Sequence, residues 1–259
     1  MITNLIVKSH DSLKSTHVRA SMVHRLFIIL LFLQLLTCTV MAQSDIPSNK
    51  KSSEIVQRVS IVLQNELDKK GLKLGSDVYI RIFKVSKELE LWVKDGTGYR
   101  LFKTYSVCTY GRGTLGPKLS KGDGQAPEGF YVVGHSALNP SSKYHLSIGV
   151  GYPNEYDRKL GSTGSGIMIH AYCASIGCFA MTDRRIEEIY TIVDAAFRNG
   201  QTRLHIDIFP FRMIEPNLKD YNDSKWSDYW RNLQEGYDSF EKNNIPPVTK
   251  VKDHRYIFN

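Results

Sequence analysis

At Asp77 the hydrophobic period of the chain changes from helical to alternating, and this switch limits the fold more than any other feature. VYIRIFKV (78–85), LELWVK (89–94) and YRLFKTYSVC (99–108) follow one another. Apolar and polar residues alternate along them, as they do along strands with one face buried. Asp95-Gly96-Thr97-Gly98 turns the second run into the third. FYVVG (130–134), HLSIGV (145–150), GIMIH (166–170) and LHIDIF (204–209) are further short strand candidates, and the Gly- and Pro-rich stretch 111–128 reads as a long loop.

Helices flank this β-rich centre. From Glu54 to Lys70 the residues Ile55, Val59, Leu63 and Leu67 fall on one face, and Gly71 stops the pattern. Asp183 to Asn199 is a second helix, capped by Thr182 or Asp183, with Ile186, Ile189, Tyr190, Val193 and Phe197 as its buried stripe. Ser224 to Glu235 carries Trp226, Tyr229, Trp230 and Leu233 at helical spacing, a packing face rather than a sugar platform. The expected class is α+β, mainly β. A hydrophobic content of 42% is enough for a real core.

The N-terminus reads as an export signal. Leu26 to Leu36 is an apolar run with only Gln34 polar, too short to span a bilayer, and Arg19, His24 and Arg25 precede it. Val40-Met41-Ala42 predicts cleavage between Ala42 and Gln43. Retention as an anchor, or lipidation at Cys38, is the alternative, and Met22 offers a second start of more usual length. Membrane contact is thus expected only through this segment if it stays uncleaved. Loss of residues 1–42 removes four basic residues and Asp11, so the net charge falls from +8 to about +5, which suits anionic wall or membrane surfaces. The Lys and Arg residues are scattered and no nucleic-acid motif accompanies them, so a nucleic-acid partner is not expected. The expected boundaries are 1–42 signal, 43–75 linker and helix, 76–213 catalytic domain and 214–259 C-terminal helical extension.

Cys108, Cys173 and Cys178 remain after export, and an odd number in an oxidising compartment leaves at least one free thiol. The segment IMIHAYCASIGCFAMTD (167–183) leaves a strand, crosses a loop of small residues and enters a capped helix. His170 and Cys178 stand eight residues apart across that loop. A thiol attacks as thiolate, and an adjacent imidazole supplies the base or the ion-pair partner. Gly177 lets the backbone approach a carbonyl, so the amides of Gly177 and Cys178 are the expected oxyanion donors. Ser175, His145 and Cys173 are candidate neighbours.

The same residues allow other readings. Buried packing accounts for a Cys and a His in one loop. His170, Cys173 and Cys178 with His145 or His135 form a possible zinc set, although no C-x2-C knuckle is present. A Cys173–Cys178 bridge silences the nucleophile; a Cys108–Cys173 contact leaves it free. Gly111 to Gly116 matches G-x-G-x-x-G, but Pro117 follows and no helix opens to hold a pyrophosphate.

Ser175-Ile176-Gly177-Cys178, with His170 before it, resembles the S/T-x-G-C signature of YkuD-type L,D-transpeptidases, and the whole segment is similar to their YafK-like branch. LGPKLSKGDGQAPEGFY (115–131), HLSIGVGYPNEYD (145–157), IFPFRM (208–213) and GYDSFEKNNIPPVTKV (236–251) extend the resemblance over about residues 76–258. It implies a compact β-sandwich or barrel with flanking helices, an acylated Cys178, and His170 as proton acceptor and donor. It implies peptidoglycan stem peptides as substrate, attacked at the L-centre of the third-residue diamino acid, in the periplasm, without metal or organic cofactor. Ala180 and Ala171 depart from the common pattern, which carries Arg or Asn two residues after the cysteine and Gly after the histidine. The YafK-like branch points instead toward release of a wall-anchored lipoprotein. A non-catalytic wall-binding module with structural cysteines is the reading from another class.

Overall fold

Asn49 starts the first helix. Its side chain accepts from the Ser52 amide at 2.9 Å while its own amide donates to the Ser52 hydroxyl at 2.9 Å. This reciprocal cap satisfies two amides that a helix N-terminus otherwise leaves unpaired. Helix α1 (Lys50–Asp68) therefore begins four residues before the expected Glu54, inside what reads in sequence as linker. Its stripe of Ile55, Val59, Leu63 and Leu67 is buried. The computed structural model describes residues 46–259, which form one compact unit. The signal segment, with its apolar run, Cys38 and the cleavage site after Ala42, lies outside the described residues. Among the described residues no helix is long and apolar enough to cross a membrane.

Strand β1 (Val78–Phe83) is buried along its whole length and lies at the centre of a five-stranded sheet. On one side it pairs antiparallel with β2 (Glu88–Asp95), which pairs in turn with β3 (Gly98–Ser106). A second sheet of four strands runs β5 (Leu138–Asn139), β6 (Ser147–Gly149), β7 (Met168–His170) and β8 (Phe179–Ala180). The other edge of the first sheet comprises β9 (Leu204–Phe209), parallel to β1, and β4 (Gly129–Val133), antiparallel to β9. Past β3 the chain bonds to β8: the Cys108 amide donates to Ala180 O at 2.8 Å and the Ala180 amide to Thr109 O at 2.9 Å. The two sheets are thereby stitched beside the loop that carries Cys178.

One apolar core joins the sheets. Ile80, Ile82 and Leu91 of the first meet Ile148, Ile169 and Phe179 of the second, closed by α1 and by α3 (Asp183–Arg198). A short α2 (Glu155–Lys159) follows β6, capped by Asn154. The result is mixed α+β, with eleven strands and five helices among the described residues.

The opposite face of the first sheet presents Phe83, Phe130 and Phe209 to the C-terminal segment. Short α4 (Glu215–Asp220) leads into α5 (Ser227–Asn243), which outruns its expected end at Glu235 because Tyr237 and Phe240 prolong the stripe of Trp230 and Leu233. Beyond it β10 (Thr249–Lys252) and β11 (Arg255–Phe258) form a hairpin across Asp253 and His254, at φ 47° and 55°. Both turn residues are left-handed, as in the two-residue hairpin turn of type I′.

Candidate active site

Strands β7 and β8 are parallel neighbours, with Ile169 opposite Phe179 and His170 opposite Ala180. Parallel strands usually need a crossover of a dozen or more residues. Here the loop 171–178 makes the return, through Tyr172 at φ 75° and Cys173 at φ 42°. The loop is held where the Ala171 amide donates to Tyr144 O at 3.3 Å, where the Cys173 amide donates to Met181 O at 3.1 Å, and where Cys173 is disulfide-bonded to Cys108 just past β3. One step back along the register sets Cys178 beside Met168, so His170 and Cys178 share a face as diagonal neighbours. Strand spacing and rise put their Cα atoms roughly 8 Å apart. Ile169 and Phe179 point the other way, into the core.

Cys178 is half-buried and is the free cysteine among the described residues. Its Sγ lies 3.7 Å from Gly166 O. The amides of Gly177 and Cys178 converge on a single oxygen, the Ser175 hydroxyl, at 3.0 Å and 2.6 Å. Gly177 has φ +154°, and a Cβ there would stand 3.0 Å from Gln125 O. Only glycine fits this backbone between Cys178 and the neighbouring loop. The rim on that side is the glycine-rich loop: a Cβ on Gly111 would lie 2.3 Å from Gly124 O and 3.0 Å from the Gly177 nitrogen. The G-x-G-x-x-G run thus borders the Gly177 backbone next to Cys178, with no helix behind it.

The site rests in its neutral form. His170 is buried, and its Nδ1 lies 2.6 Å from Ala171 O. A carbonyl oxygen can only accept, so Nδ1 carries the proton and Nε2 keeps the basic lone pair. Burial lowers the His170 pKa against that bond. Burial likewise raises the Cys178 thiol above its ordinary value, opposed by the Met168 backbone, the Lys118 charge and the Ser175 hydroxyl. Both shifts favour the neutral forms, so the two groups do not form a preformed thiolate–imidazolium ion pair.

Two residues of this site were not singled out in the sequence. Lys118 is buried in the glycine-rich loop, where its Nζ donates to Asp123 Oδ1 at 2.6 Å and to Ser120 O at 2.9 Å. Burial would raise the Asp123 carboxyl, but Lys118 and three backbone amides hold it at about 2. Tyr144 packs against the His170 ring, tilted by 34° with 4.5 Å between centroids. The adjacent His145, singled out in the sequence, turns toward α3, with Nε2 2.8 Å from Glu187 Oε1. Ser175 stands next to the thiol. Cys173 is held in the disulfide, which removes the Cys173–Cys178 bridge and takes Cys173 out of the zinc set. Among the described residues no three His, Cys, Asp or Glu side chains are grouped to hold a metal ion.

The sequence profile of the L,D-transpeptidase catalytic domain (YkuD) matches residues 77–206. The Escherichia coli K12 protein YafK, named as a candidate L,D-transpeptidase, is 45% identical over 184 residues, 71% of this chain and 74% of that one. The solved structure of the helical cell shape determining protein Pgp2 from Campylobacter jejuni aligns at 17% identity and a TM-score of 0.44, over 78% of this chain and 80% of that one. That of Bd1075 from Bdellovibrio bacteriovorus aligns at 18% identity and a TM-score of 0.39, over 69% of this chain and 78% of that one. With 45% identity to YafK across 71% of its length and the family profile covering residues 77–206, the chain belongs to the YkuD family of L,D-transpeptidase catalytic domains.

Proposed function

We propose that this chain is an exported, periplasmic cysteine acyl-transfer enzyme acting on peptidoglycan stem peptides, at the amide on the L-centre of the third-residue diamino acid. His170 Nε2 takes the thiol proton as Cys178 Sγ attacks the carbonyl carbon. The carbonyl electron pair moves onto oxygen, facing the Gly177 and Cys178 amides. Collapse breaks the C–N bond, His170 returns the proton to the leaving amine, and a thioester remains on Cys178. An acceptor amine or water then releases the acyl group. The observation that carries this reading is the free Cys178, whose own amide and that of Gly177 converge beside its sulfur.

A second reading, hydrolytic release of a wall-anchored lipoprotein, is favoured by Ala180. This residue is fully buried between His170 and Thr109, where the common pattern carries Arg or Asn, and its methyl offers an acceptor substrate no polar anchor. A non-catalytic wall-binding module requires Cys173 and Cys178 both to be unavailable, and the free Cys178 weighs against it. Cys178→Ala tests the catalytic reading: the variant should melt like the parent and lose both covalent labelling and turnover. Turnover at the parental rate would overturn the reading.

A further inference from the structure

We propose that the Ser175 hydroxyl occupies the oxyanion site of the resting enzyme and must swing aside before a substrate carbonyl is attacked. This rests on Cys178 being the nucleophile, as proposed above. An amide N–H points in one direction. While Ser175 Oγ accepts from Gly177 at 3.0 Å and from Cys178 at 2.6 Å, neither donor is available to an incoming carbonyl. The same hydroxyl is close enough to the thiol to favour its anion. It therefore holds the place, beside the sulfur and between two amides, that the oxygen of a tetrahedral adduct needs.

The hydroxyl has room to leave. Ser175 is half-buried, and its neighbour Ile176 is 86% exposed, so this part of the loop opens on solvent. Rotation about one side-chain bond withdraws Oγ, and the substrate oxygen takes over both amide bonds. The attack stays balanced: the S–C bond forms as the carbonyl pair moves to oxygen, and the C–N bond breaks as His170 protonates the departing amine. A bond that merely braces the loop would use the same three atoms, but the two roles respond oppositely when the hydroxyl is removed.

The test compares two reactions of Cys178 in the mature protein, followed by intact mass. Iodoacetamide alkylates a thiolate by displacing iodide and forms no oxyanion. p-Nitrophenyl acetate acylates it through a tetrahedral adduct and releases nitrophenolate. Both start from the same thiolate, so the ratio of their rate constants is insensitive to thiolate population. Ser175→Ala should raise the acylation-to-alkylation ratio about 3- to 10-fold, the factor expected from removing a competing neutral hydrogen bond. Ser175→Thr, which keeps an acceptor, should stay at the parental ratio. Ser175→Gly, which also lacks the hydroxyl, must move it in the same direction as Ser175→Ala. A ratio unchanged or lowered in both hydroxyl-free variants overturns the blocking role alone. A parent protein that alkylates at Cys178 but accepts no acyl group, from ester or from muropeptide, overturns the nucleophile as well.

Discussion

Lys84 and Glu128 form an ion pair with no solvent exposure on either side chain, and removing one partner should be costly. Glu128 Oε1 accepts from Lys84 Nζ at 2.7 Å and from the Gly116 amide at 2.8 Å, while Oε2 accepts from Trp230 Nε1 at 2.8 Å. Lys84 also donates to Gly116 O at 3.0 Å and Ala126 O at 3.1 Å. One carboxylate thus ties the end of β1, the middle and end of the rim loop, and α5 together. Glu128→Ala strands a buried ammonium, which costs about 3–5 kcal/mol. For a domain of this size that lowers the melting temperature by roughly 6–20 °C. Burial already pushes the Lys84 pKa below its ordinary value, and loss of Glu128 pushes it further. Between that depressed pKa and the unfolded lysine value the unfolded chain binds more protons, so the variant should regain stability as pH rises. Thermal unfolding of the mature protein and of Glu128→Ala from pH 7 to 10 reads both effects. A loss under about 1 kcal/mol, or a deficit that grows with pH, would refute the pairing as the anchor of the loop.

His170→Gln should lower turnover by about 10²–10⁴-fold. In the parent, the acid limb of kcat/KM should fall below the ordinary imidazole pKa, since burial lowers it and the base must be neutral; a limb above that value contradicts the assignment. Replacing Cys108 and Cys173 together by Ser opens a loop of 65 residues, a cost of about 4 kcal/mol by chain entropy. Acylation of Cys178 should slow in that variant, and an unchanged rate would show that the disulfide does not position the loop. Burial pushes the Asp207 carboxyl up to about 7, against a hydrogen bond from Tyr79. Its contribution is full below the unfolded carboxylate pKa and is lost as pH rises through about 7. Asp207→Asn keeps an acceptor for Tyr79 and should flatten the fall in stability from pH 5 to 8; an identical slope would contradict the shift.

The parts legible in sequence are those in which local pattern and final environment agree. LHIDIF forms β9 over the expected residues, and all five apolar residues of the α3 stripe are buried. The start of α1 was hidden because its cap uses Asn49 and Ser52 rather than the commoner Ser or Thr followed by Glu. The hairpin of β10 and β11 falls inside what reads in sequence as a helical extension (214–259), since its turn uses Asp253 and His254 where Asn-Gly would announce one. Strand β8 has two residues and is held by pairing with β7 and Thr109, so no periodicity could mark it. The parallel register of β1 with β9 joins distant segments and leaves no local trace. In the site, His170 and Cys178 were visible because they flank one short loop, eight residues apart. Lys118 and Tyr144 arrive from other loops, and the partner of Cys173 lies 65 residues upstream. Three cysteines without coordinates leave every pairing open.

The nucleophile is tested most directly by intact-mass measurement of the mature protein with muropeptides, among them one carrying a peptide amide-linked to its third-residue diamino acid. The expected result is a stem-peptide adduct on Cys178 with release of the amine. Transfer of that adduct to an added amine marks a transpeptidase, and loss to water marks a hydrolase. Folded protein with Cys178 reduced that forms neither adduct nor product would contradict acyl transfer and leave a wall-binding module.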